Sequence, residues 1–188
     1  GRLVKYPYLL FVAYSKISYD EAYLKAHFRP YFMKNMLNNS LGATDNVREY
    51  INDLKKHNIK IIMPNINRSN ILFEINNNEV IYPFKGIKGI GQSASLKIIN
   101  ERPFNNIFEF FKKCYGKEVN KKTIENLILS GCLDEFNYNR QTLMRNLDSL
   151  INYAETDYGI DLGIDLKPEI KLYDEFNLKD LLDFEYEL

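Results

Sequence analysis

The sequence contains little cysteine and no long apolar run, and each shortage excludes a class of protein. The two cysteines, Cys114 and Cys132, form no metal-ligand or redox motif, so we expect reduced and at least partly buried thiols in a cytoplasmic protein. No apolar run approaches the roughly 20 residues that span a bilayer, and the chain does not open on a signal-peptide pattern. We therefore expect no membrane association. The length, 188 residues, is ample for a hydrophobic core in one or two small domains.

Residues with the spacing of a catalytic or metal site are also missing. His27 and His57 have no further metal ligands at the usual spacing, and we expect surface or helix-capping positions for both. No pair of carboxylates has the context of two-metal phosphoryl transfer, and no nucleophile stands beside a base. We therefore predict no catalytic, cofactor-binding or metal-binding residues in this chain. This argues against a stand-alone nuclease or repair enzyme.

The net charge is zero, but the charges are segregated along the chain. Residues 1–60 hold ten basic and five acidic side chains, and residues 84–123 hold nine basic and three acidic ones. Residues 150–188 hold three basic and eleven acidic side chains. A basic body with an acidic end indicates a surface that faces a polyanion and a separate acidic tail.

The spacing of apolar residues predicts a mainly helical chain with one small β element. Helices are expected near 14–28, 30–39 and 45–57. Ile59–Ile62 looks extended, and a β-hairpin is predicted around Asn76–Asn78, whose residues tolerate positive φ. The acidic stretch 155–177 has no clear period and is predicted to be a loop or extended linker. Further helices are predicted over 92–100, 104–114, 121–130, 140–154 and 177–188.

The most informative segment is Phe84–Gly91, which has three glycines and two lysines in eight residues directly before a predicted helix. A glycine turn that runs into a helix presents free backbone N–H groups at the positive end of the helix dipole, and this arrangement suits a phosphate. Ile90 is expected to anchor the turn in the core. The residues predicted to contact DNA here are Lys85, Gly86, Lys88, Gly89, Ile90, Gly91, Gln92, Ser93 and Lys97.

Simpler interpretations exist for each of these patterns. A Gly-x-Gly pattern is equally typical of a loop–helix junction, but the flanking lysines and the apolar helix favour DNA binding. A second helix–turn–helix unit over 121–140 adds Asn139 and Arg140 to the predicted DNA contacts, although an ordinary helical hairpin explains that pattern better. The Tyr-rich, basic stretch 16–29 fits a nucleotide or template contact, but a solvated helix face fits it better. The absence of a βαβ context argues against a dinucleotide fold.

Together these segments resemble the C-family bacterial replicative DNA polymerases, specifically the DNA polymerase III alpha subunits of the DnaE type. The order and spacing of the matching segments agree over nearly the whole chain. The segments that carry the resemblance are Val12 to Tyr19, Ala22 to Phe28, Tyr31 to Met33, Glu49 to Asn67, Gly86 to Gly91, Leu129 to Asp134, Asn139 with Arg140, and Glu185 to Leu188.

The resemblance implies three parts. Residues 1–83 would be the C-terminal part of the polymerase fingers, and 84–150 a tandem helix-hairpin-helix module that holds duplex DNA. Residues 151–188 would be an acidic linker toward the clamp-binding and OB-fold region. The family's palm carboxylates, which bind Mg²⁺, lie upstream of the matching region, so we expect no cofactor in this chain and no polymerase activity from it alone. The chain begins with Gly and its last predicted helix has no stop signal, so we expect a piece of a longer protein.

Two positions depart from the family pattern. The family's nucleotide-linked phenylalanine–basic–serine–histidine stretch is replaced by Tyr6–Phe11, so we assign no nucleotide contact there. Ile160–Leu162 lacks the glutamine and the aromatic residue of the family's clamp-binding peptide, and an acidic linker explains it better. We therefore predict a non-catalytic portion of a cytoplasmic replicative polymerase that binds primer–template duplex through its backbone. The alternative is an interaction module whose acidic end docks on a sliding clamp or another replisome subunit.

Overall fold

The structure is a computed structural model that describes residues 34–35, 37–39, 41, 51–156 and 166–186. Residues 37–39 and 51–56 are helical, in agreement with two of the helices predicted in the first third of the chain. The predicted helix at 14–28, with its Tyr-rich, basic stretch, lies outside the described residues. So do the two positions that depart from the family pattern, 6–11 and 160–162. Among the described residues, no helix combines the length and the apolar composition that a bilayer crossing requires.

A three-stranded sheet follows the helical residues 51–56. Strand β1 (Lys60–Ile62) pairs in parallel with β3 (Glu79–Ile81), which in turn pairs antiparallel with β2 (Glu74–Asn76). The β2–β3 turn consists of Asn77 and Asn78, whose φ angles are 47° and 62°. A two-residue hairpin turn of this kind needs positive φ at both positions, and asparagine adopts it readily. The predicted hairpin and the extended segment before it are confirmed.

The remainder of the described chain is helical with short connections. One 3₁₀ turn, Phe84–Gly86, leads from the sheet into the helices, and a second one, Asp134–Phe136, lies between two of the helices. The helices are α1 (Gln92–Glu101), α2 (Ile107–Cys114), α3 (Lys121–Leu129), α4 (Arg140–Arg145), α5 (Leu147–Glu155) and α6 (Leu178–Tyr186). The predicted fold class, mainly helical with a small β-hairpin and an extended acidic segment near the end, is confirmed.

Three asparagines define where α2, α3 and α4 begin. Each stands one residue before its helix, and its side-chain oxygen accepts the backbone N–H of the third helical residue, at 2.9, 3.0 and 2.7 Å respectively. Such caps satisfy one of the N–H groups that a helix start leaves without a partner. The three capping residues are Asn106, Asn120 and Asn139. The cap at Asn106 also explains why α2 begins three residues later than predicted.

The end of α3 follows the predicted glycine stop. Gly131 has a φ of 81° and donates its N–H to the carbonyl of Ile128, while Cys132 donates to Leu127. This pair of bonds is the Schellman arrangement, in which a residue in the left-handed region closes the helix, and glycine adopts that region at little cost.

The prediction of one helix over 140–154 is wrong in one respect, because the segment is divided at Asn146 into α4 and α5. The backbone of Asn146 leaves helical geometry, with φ −99° and ψ 4°. Its side-chain amide donates to the carbonyls of Thr142 and Lys171, and its oxygen accepts the N–H of Lys171. A contact with a distant segment of the chain therefore sets the break, and local spacing carries no sign of it.

Two groups of buried side chains stabilise the described residues. The larger lies among the helices, where Ile98, Phe110, Leu127 and Leu150 are fully buried. The smaller lies under the sheet and the helical residues before it, and comprises Leu37, Leu54, Ile59, Phe73 and Val80. Tyr82, at the end of β3, packs against both groups and thereby joins them. Cys114 and Cys132 are both buried and unpaired, as the sequence predicted.

The loop between β1 and β2 fastens the sheet to the helices. Ile66 is fully buried in the helical core, and its N–H donates to the carbonyl of Cys132. The Asn67 side chain bonds the N–H and the carbonyl of Phe104 at 2.8 and 2.9 Å. The guanidinium of Arg102 donates to the carbonyl of Ile66 at 2.7 Å. Part of the segment before residue 84 thus packs within the helical module, while the division at 83, 84–150 and 151–188 stays a prediction.

Candidate nucleic-acid interface

The residues Ile87 to Gly91, which we call the first hairpin, link the 3₁₀ turn Phe84–Gly86 to α1. Two buried isoleucines hold this hairpin in place. Ile87 and Ile90 are 2% and 6% exposed, and the N–H of Ile90 donates to the carbonyl of Ile87 at 3.1 Å. Lys88 and Gly89, between them, are exposed. The expectation that Ile90 anchors the turn in the core is therefore confirmed, and the two residues at the tip remain accessible to solvent.

The start of α1 lies open at the end of this hairpin. Gly91 is the N-cap residue, and having no side chain it cannot occupy the first N–H groups of the helix. Gln92 and Ser93 follow it on the surface. A Cβ atom added at Gly91 would have no neighbour within 4 Å. The backbone donors at this helix start therefore face accessible space, which is the geometry that suits a phosphate oxygen.

The lysines around the hairpin differ in their partners. Lys85 and Lys88 are exposed, and neither forms an ion pair with any residue that the structure describes. Lys97, one turn into α1, pairs with Glu101 at 2.9 Å, and the hydrogen bond to Glu101 raises the pKa of its ammonium group. The positive charge that a polyanion would meet here thus comes mainly from Lys85 and Lys88.

An open groove of about 730 Å³ runs beside the hairpin. One wall is the chain from Asn70 to Leu72, and the other is formed by Lys85, Ile90 and the first turns of α1. Nothing in the described part of the chain therefore closes off this side of the hairpin.

The three glycines of the motif have three different tasks. Gly86 lies against the ring of Tyr82, where an added Cβ would approach the ring carbon Cε1 to 2.6 Å. Gly89 has a φ of 79° and lies against the side-chain amide of Asn126, in α3. Gly91 alone borders open space. Close packing therefore accounts for Gly86 and a left-handed backbone for Gly89, while Gly91 leaves open space at the start of α1.

The second unit consists of α3, the turn 130–133, the second 3₁₀ turn and α4. Arg140 is only 9% exposed. Its guanidinium pairs with the Asp134 carboxylate at 3.1 Å and donates to the carbonyl of Leu129 at 3.0 Å. The side chain of Asn139 caps α4 and donates to the carbonyl of Tyr173 at 2.7 Å. The structure thus places both predicted DNA contacts of this unit in internal bonds that shape the turn.

The two units differ in charge at their turns. Lys85 and Lys88 flank the first turn, whereas Asp134 and Glu135 follow the second one directly. Of the predicted DNA contacts in and beside the first hairpin, Gly86 is half-buried and six are exposed, namely Lys85, Lys88, Gly89, Gly91, Gln92 and Ser93. The prediction of a DNA contact by Ile90 is wrong, because its side chain is 6% exposed and packs in the core. Asn139 and Arg140 belong to the other unit. Sequence reasoning missed Asn126 and Tyr82, which position the first hairpin, since their role appears only when distant segments pack together.

Known protein families match the chain at this module. The helix-hairpin-helix motif family matches residues 58–143. The alpha subunit of DNA polymerase III from Bacillus subtilis is 37% identical over 187 residues, which cover 94% of this chain. That of Borreliella burgdorferi is 38% identical over 77% of the chain, and that of Thermus aquaticus is 34% identical over 76%.

The chain belongs to the DNA polymerase III alpha-subunit family. It spans 17% of the length of the Bacillus subtilis relative. The resemblance read from the sequence is thereby confirmed, and so is a helix-hairpin-helix module within it. The family match begins at residue 58, ahead of β1, and therefore includes the loop that carries Ile66 and Asn67.

Proposed function

We propose that this DNA polymerase III alpha-type chain binds the backbone of duplex DNA without reading its sequence. The observation that carries the proposal is the open helix start at Gly91, preceded by Lys85 and Lys88, neither of which forms an ion pair with a described carboxylate. Backbone N–H groups and lysines bind phosphate oxygens but distinguish no base. The match of residues 58–143 to the helix-hairpin-helix family supports DNA binding by this module.

The wider activity is proposed from the relatives. We propose that the chain serves DNA-directed DNA synthesis in replication, as part of a cytoplasmic nucleotidyltransferase, by holding primer–template duplex. The chemistry would be carried out by Mg²⁺-binding palm carboxylates that this sequence does not supply, so the 188-residue chain by itself should not extend a primer. The two activities, gripping and synthesis, are separable in this proposal.

A titration at several salt concentrations tests the DNA proposal. The 188-residue chain is mixed with a labelled short duplex, and affinity is measured by fluorescence anisotropy. Backbone contacts release counterions, so the logarithm of the affinity should fall linearly with the logarithm of the salt concentration, by about 0.9 per neutralised phosphate. Two duplexes of unrelated sequence should bind equally. An affinity that salt leaves unchanged would contradict the proposal.

A second candidate function, docking on a sliding clamp or another replisome protein, has one observation in its favour. Several large apolar side chains near the acidic end are exposed, among them Leu172 at 77% and Leu178 at 73%. A contiguous exposed apolar patch with a polar rim is typical of a protein contact, and the docking alternative requires that these side chains form one. A pull-down with purified clamp separates the two functions, because Leu172→Ser with Leu178→Ser should abolish clamp capture and leave DNA affinity unchanged.

A further inference from the structure

Residues 170–176, which we call the strap, lie in an extended form along α4. Polar side chains of α4 and of its flanking residues bond the strap's backbone at every second position. Asn146 accepts the N–H of Lys171 at 3.1 Å and donates to its carbonyl at 2.8 Å. Thr142 Oγ1 accepts the N–H of Tyr173 at 3.0 Å and donates to its carbonyl at 3.1 Å. The strap is therefore held by its main chain.

Two residues beyond Tyr173 along the strap, Glu175 contacts the second unit through its carboxylate. Glu175 Oε2 accepts the N–H of Arg140, and Glu175 Oε1 accepts the N–H of Gln141, both at 3.1 Å. These donors belong to the second unit, at the place where its helix begins. The carboxylate thus occupies backbone N–H groups of the second unit, while the corresponding groups of the first hairpin face open space.

The strap is also fixed at both of its ends. Ile170 packs against the large helical core, and the ring of Tyr173 lies beneath the guanidinium of Arg145 at 5.6 Å. At the other end the ring of Phe176 meets that of Phe184, in α6, at 5.2 Å. α6 in turn lies against α3, so the segment 170–186 contacts both helices of the second unit.

The charges around the second unit also disfavour the binding of a phosphate there. Asp134 pairs with the Arg140 guanidinium at 3.1 Å, and Glu175 accepts the backbone N–H of the same residue, so two carboxylates lie beside the start of α4. A phosphate brought to this unit would meet carboxylates at a surface whose backbone donors are in use.

We propose that the strap closes the second helix-hairpin-helix unit to DNA, so that the duplex backbone is held by the first hairpin alone. The inference rests on the proposed DNA binding and specifies which of the two units contacts the duplex. Glu175 is the residue that makes the difference between the units, since its carboxylate takes the place that a phosphate oxygen would need. The second unit then serves as the dock for the strap.

The test compares two substitutions that remove the same charge from neighbouring residues. In the 188-residue chain, Glu175→Gln removes the charge and one of the two backbone bonds, while Asp174→Asn removes a charge from an exposed side chain. Each variant is titrated with a short duplex at several salt concentrations. Glu175→Gln should bind about threefold tighter than Asp174→Asn or more, and its salt dependence should steepen by about one phosphate. Equal affinities of the two variants would overturn the proposal.

A measurement on the unaltered chain keeps the test independent of how the variants fold. Hydrogen exchange with and without duplex should show slower exchange over residues 88–95 when DNA is bound. Exchange over 140–142 and 171–173 should stay the same. A DNA-induced change of exchange in those two segments would overturn the strap proposal.

The same data separate the two levels of inference. A chain that binds no duplex at any salt concentration would overturn the proposed function, and this inference with it. Binding that is lost in Lys85→Gln with Lys88→Gln, but is equal in Glu175→Gln and Asp174→Asn, would retain the proposed function and overturn the strap alone.

Discussion

Gly89 lies directly against the side-chain amide of Asn126, so that the turn of the first hairpin rests on the first helix of the second unit. The φ of Gly89 is 79°, in the left-handed region. The turn of the first hairpin therefore packs against α3 of the second unit, and a Cβ atom at this glycine would require the Asn126 side chain to shift. This contact holds the lysine-flanked turn in one position relative to the core, which is what a preformed phosphate site requires.

Substitution of Gly89 should destabilise the fold. In Gly89→Ala the new Cβ meets the Asn126 amide, and an L-residue in the left-handed region costs about 1–2 kcal/mol before any clash. The free energy of unfolding, measured by urea denaturation, should fall by at least that amount. A variant as stable as the parent would show that the turn can move away from Asn126.

Gly91→Ala, in contrast, should lower the affinity for DNA and leave the stability of the fold unchanged. The φ of Gly91 is −82° and an added Cβ meets nothing within 4 Å, so the free energy of unfolding should hardly change. The methyl group would, however, stand on the open surface at the start of α1, where we propose that a phosphate approaches. Affinity for duplex DNA should therefore fall while stability is kept. Unchanged affinity would place the phosphate elsewhere.

The two hairpin lysines should account for part of the salt dependence. Lys85→Gln and Lys88→Gln should each weaken duplex binding to the same extent for all sequences and reduce the salt slope by about one unit. The matched control is Lys55→Gln, which removes the same charge from an exposed site on the helical residues 51–56. If the control lowers the salt slope as much as the hairpin variants do, binding follows net charge and the hairpin has no special role.

Asn146 should be important for stability because it joins three segments. It is 5% exposed, and its side chain bonds the carbonyl of Thr142 and both backbone groups of Lys171. Asn146→Ala removes the two bonds to the backbone of Lys171, whereas the Thr142 carbonyl still accepts the backbone N–H of residue 146. Each lost hydrogen bond of this kind costs about 0.5–1.5 kcal/mol. Thermal unfolding should occur at a lower temperature, and exchange of the Lys171 amide should be faster. Asn152→Ala, at an exposed position in α5, is the control.

The two thiols should be unreactive in the folded protein. Burial raises the pKa of Cys114 to about 12 and raises the pKa of Cys132 as well, so neither forms thiolate near neutral pH. Alkylation should be slow until the chain is unfolded. Because the folded pKa of Cys114 lies above its usual value of 9.0, the stability linked to it is complete below about pH 9 and is lost as the pH rises toward about 12. Equal alkylation rates in the native and unfolded states would contradict the burial.

Glu109 gives a prediction at acidic pH. Its hydrogen bonds to Lys113 and to the N–H of Asn105 lower the pKa of its carboxyl from 4.5 to about 2. Stability from this group is present above about pH 4.5 and is lost as the pH falls through about 2. Glu109→Gln should therefore be less stable than the parent at neutral pH, and the difference should vanish over that acidic range. A difference that does not depend on pH would rule out the charge as its source.

The interface could be predicted from the sequence only in part. The glycine and lysine pattern located the first hairpin, and the anchoring by Ile90 follows from an apolar residue between glycines. Asn139 and Arg140 are predicted as DNA contacts because the segment 121–140 looks like a second helix–turn–helix unit. No pattern shows that the Arg140 guanidinium would bond Asp134 and Leu129, since these bonds depend on how the turn 130–133 closes.

The sequence by itself determined the local structure, namely the capped helix starts, the Asn77–Asn78 turn and the glycine end of α3. It did so because capping and positive φ depend on the chemistry of one or two adjacent residues. The tertiary structure alone decided that Asn146 would divide a helix, that Ile66 would join the helical core, and that Glu175 would reach the second unit. These contacts join residues far apart in the chain, and their free energy exists only once the packed helices bring the partners together.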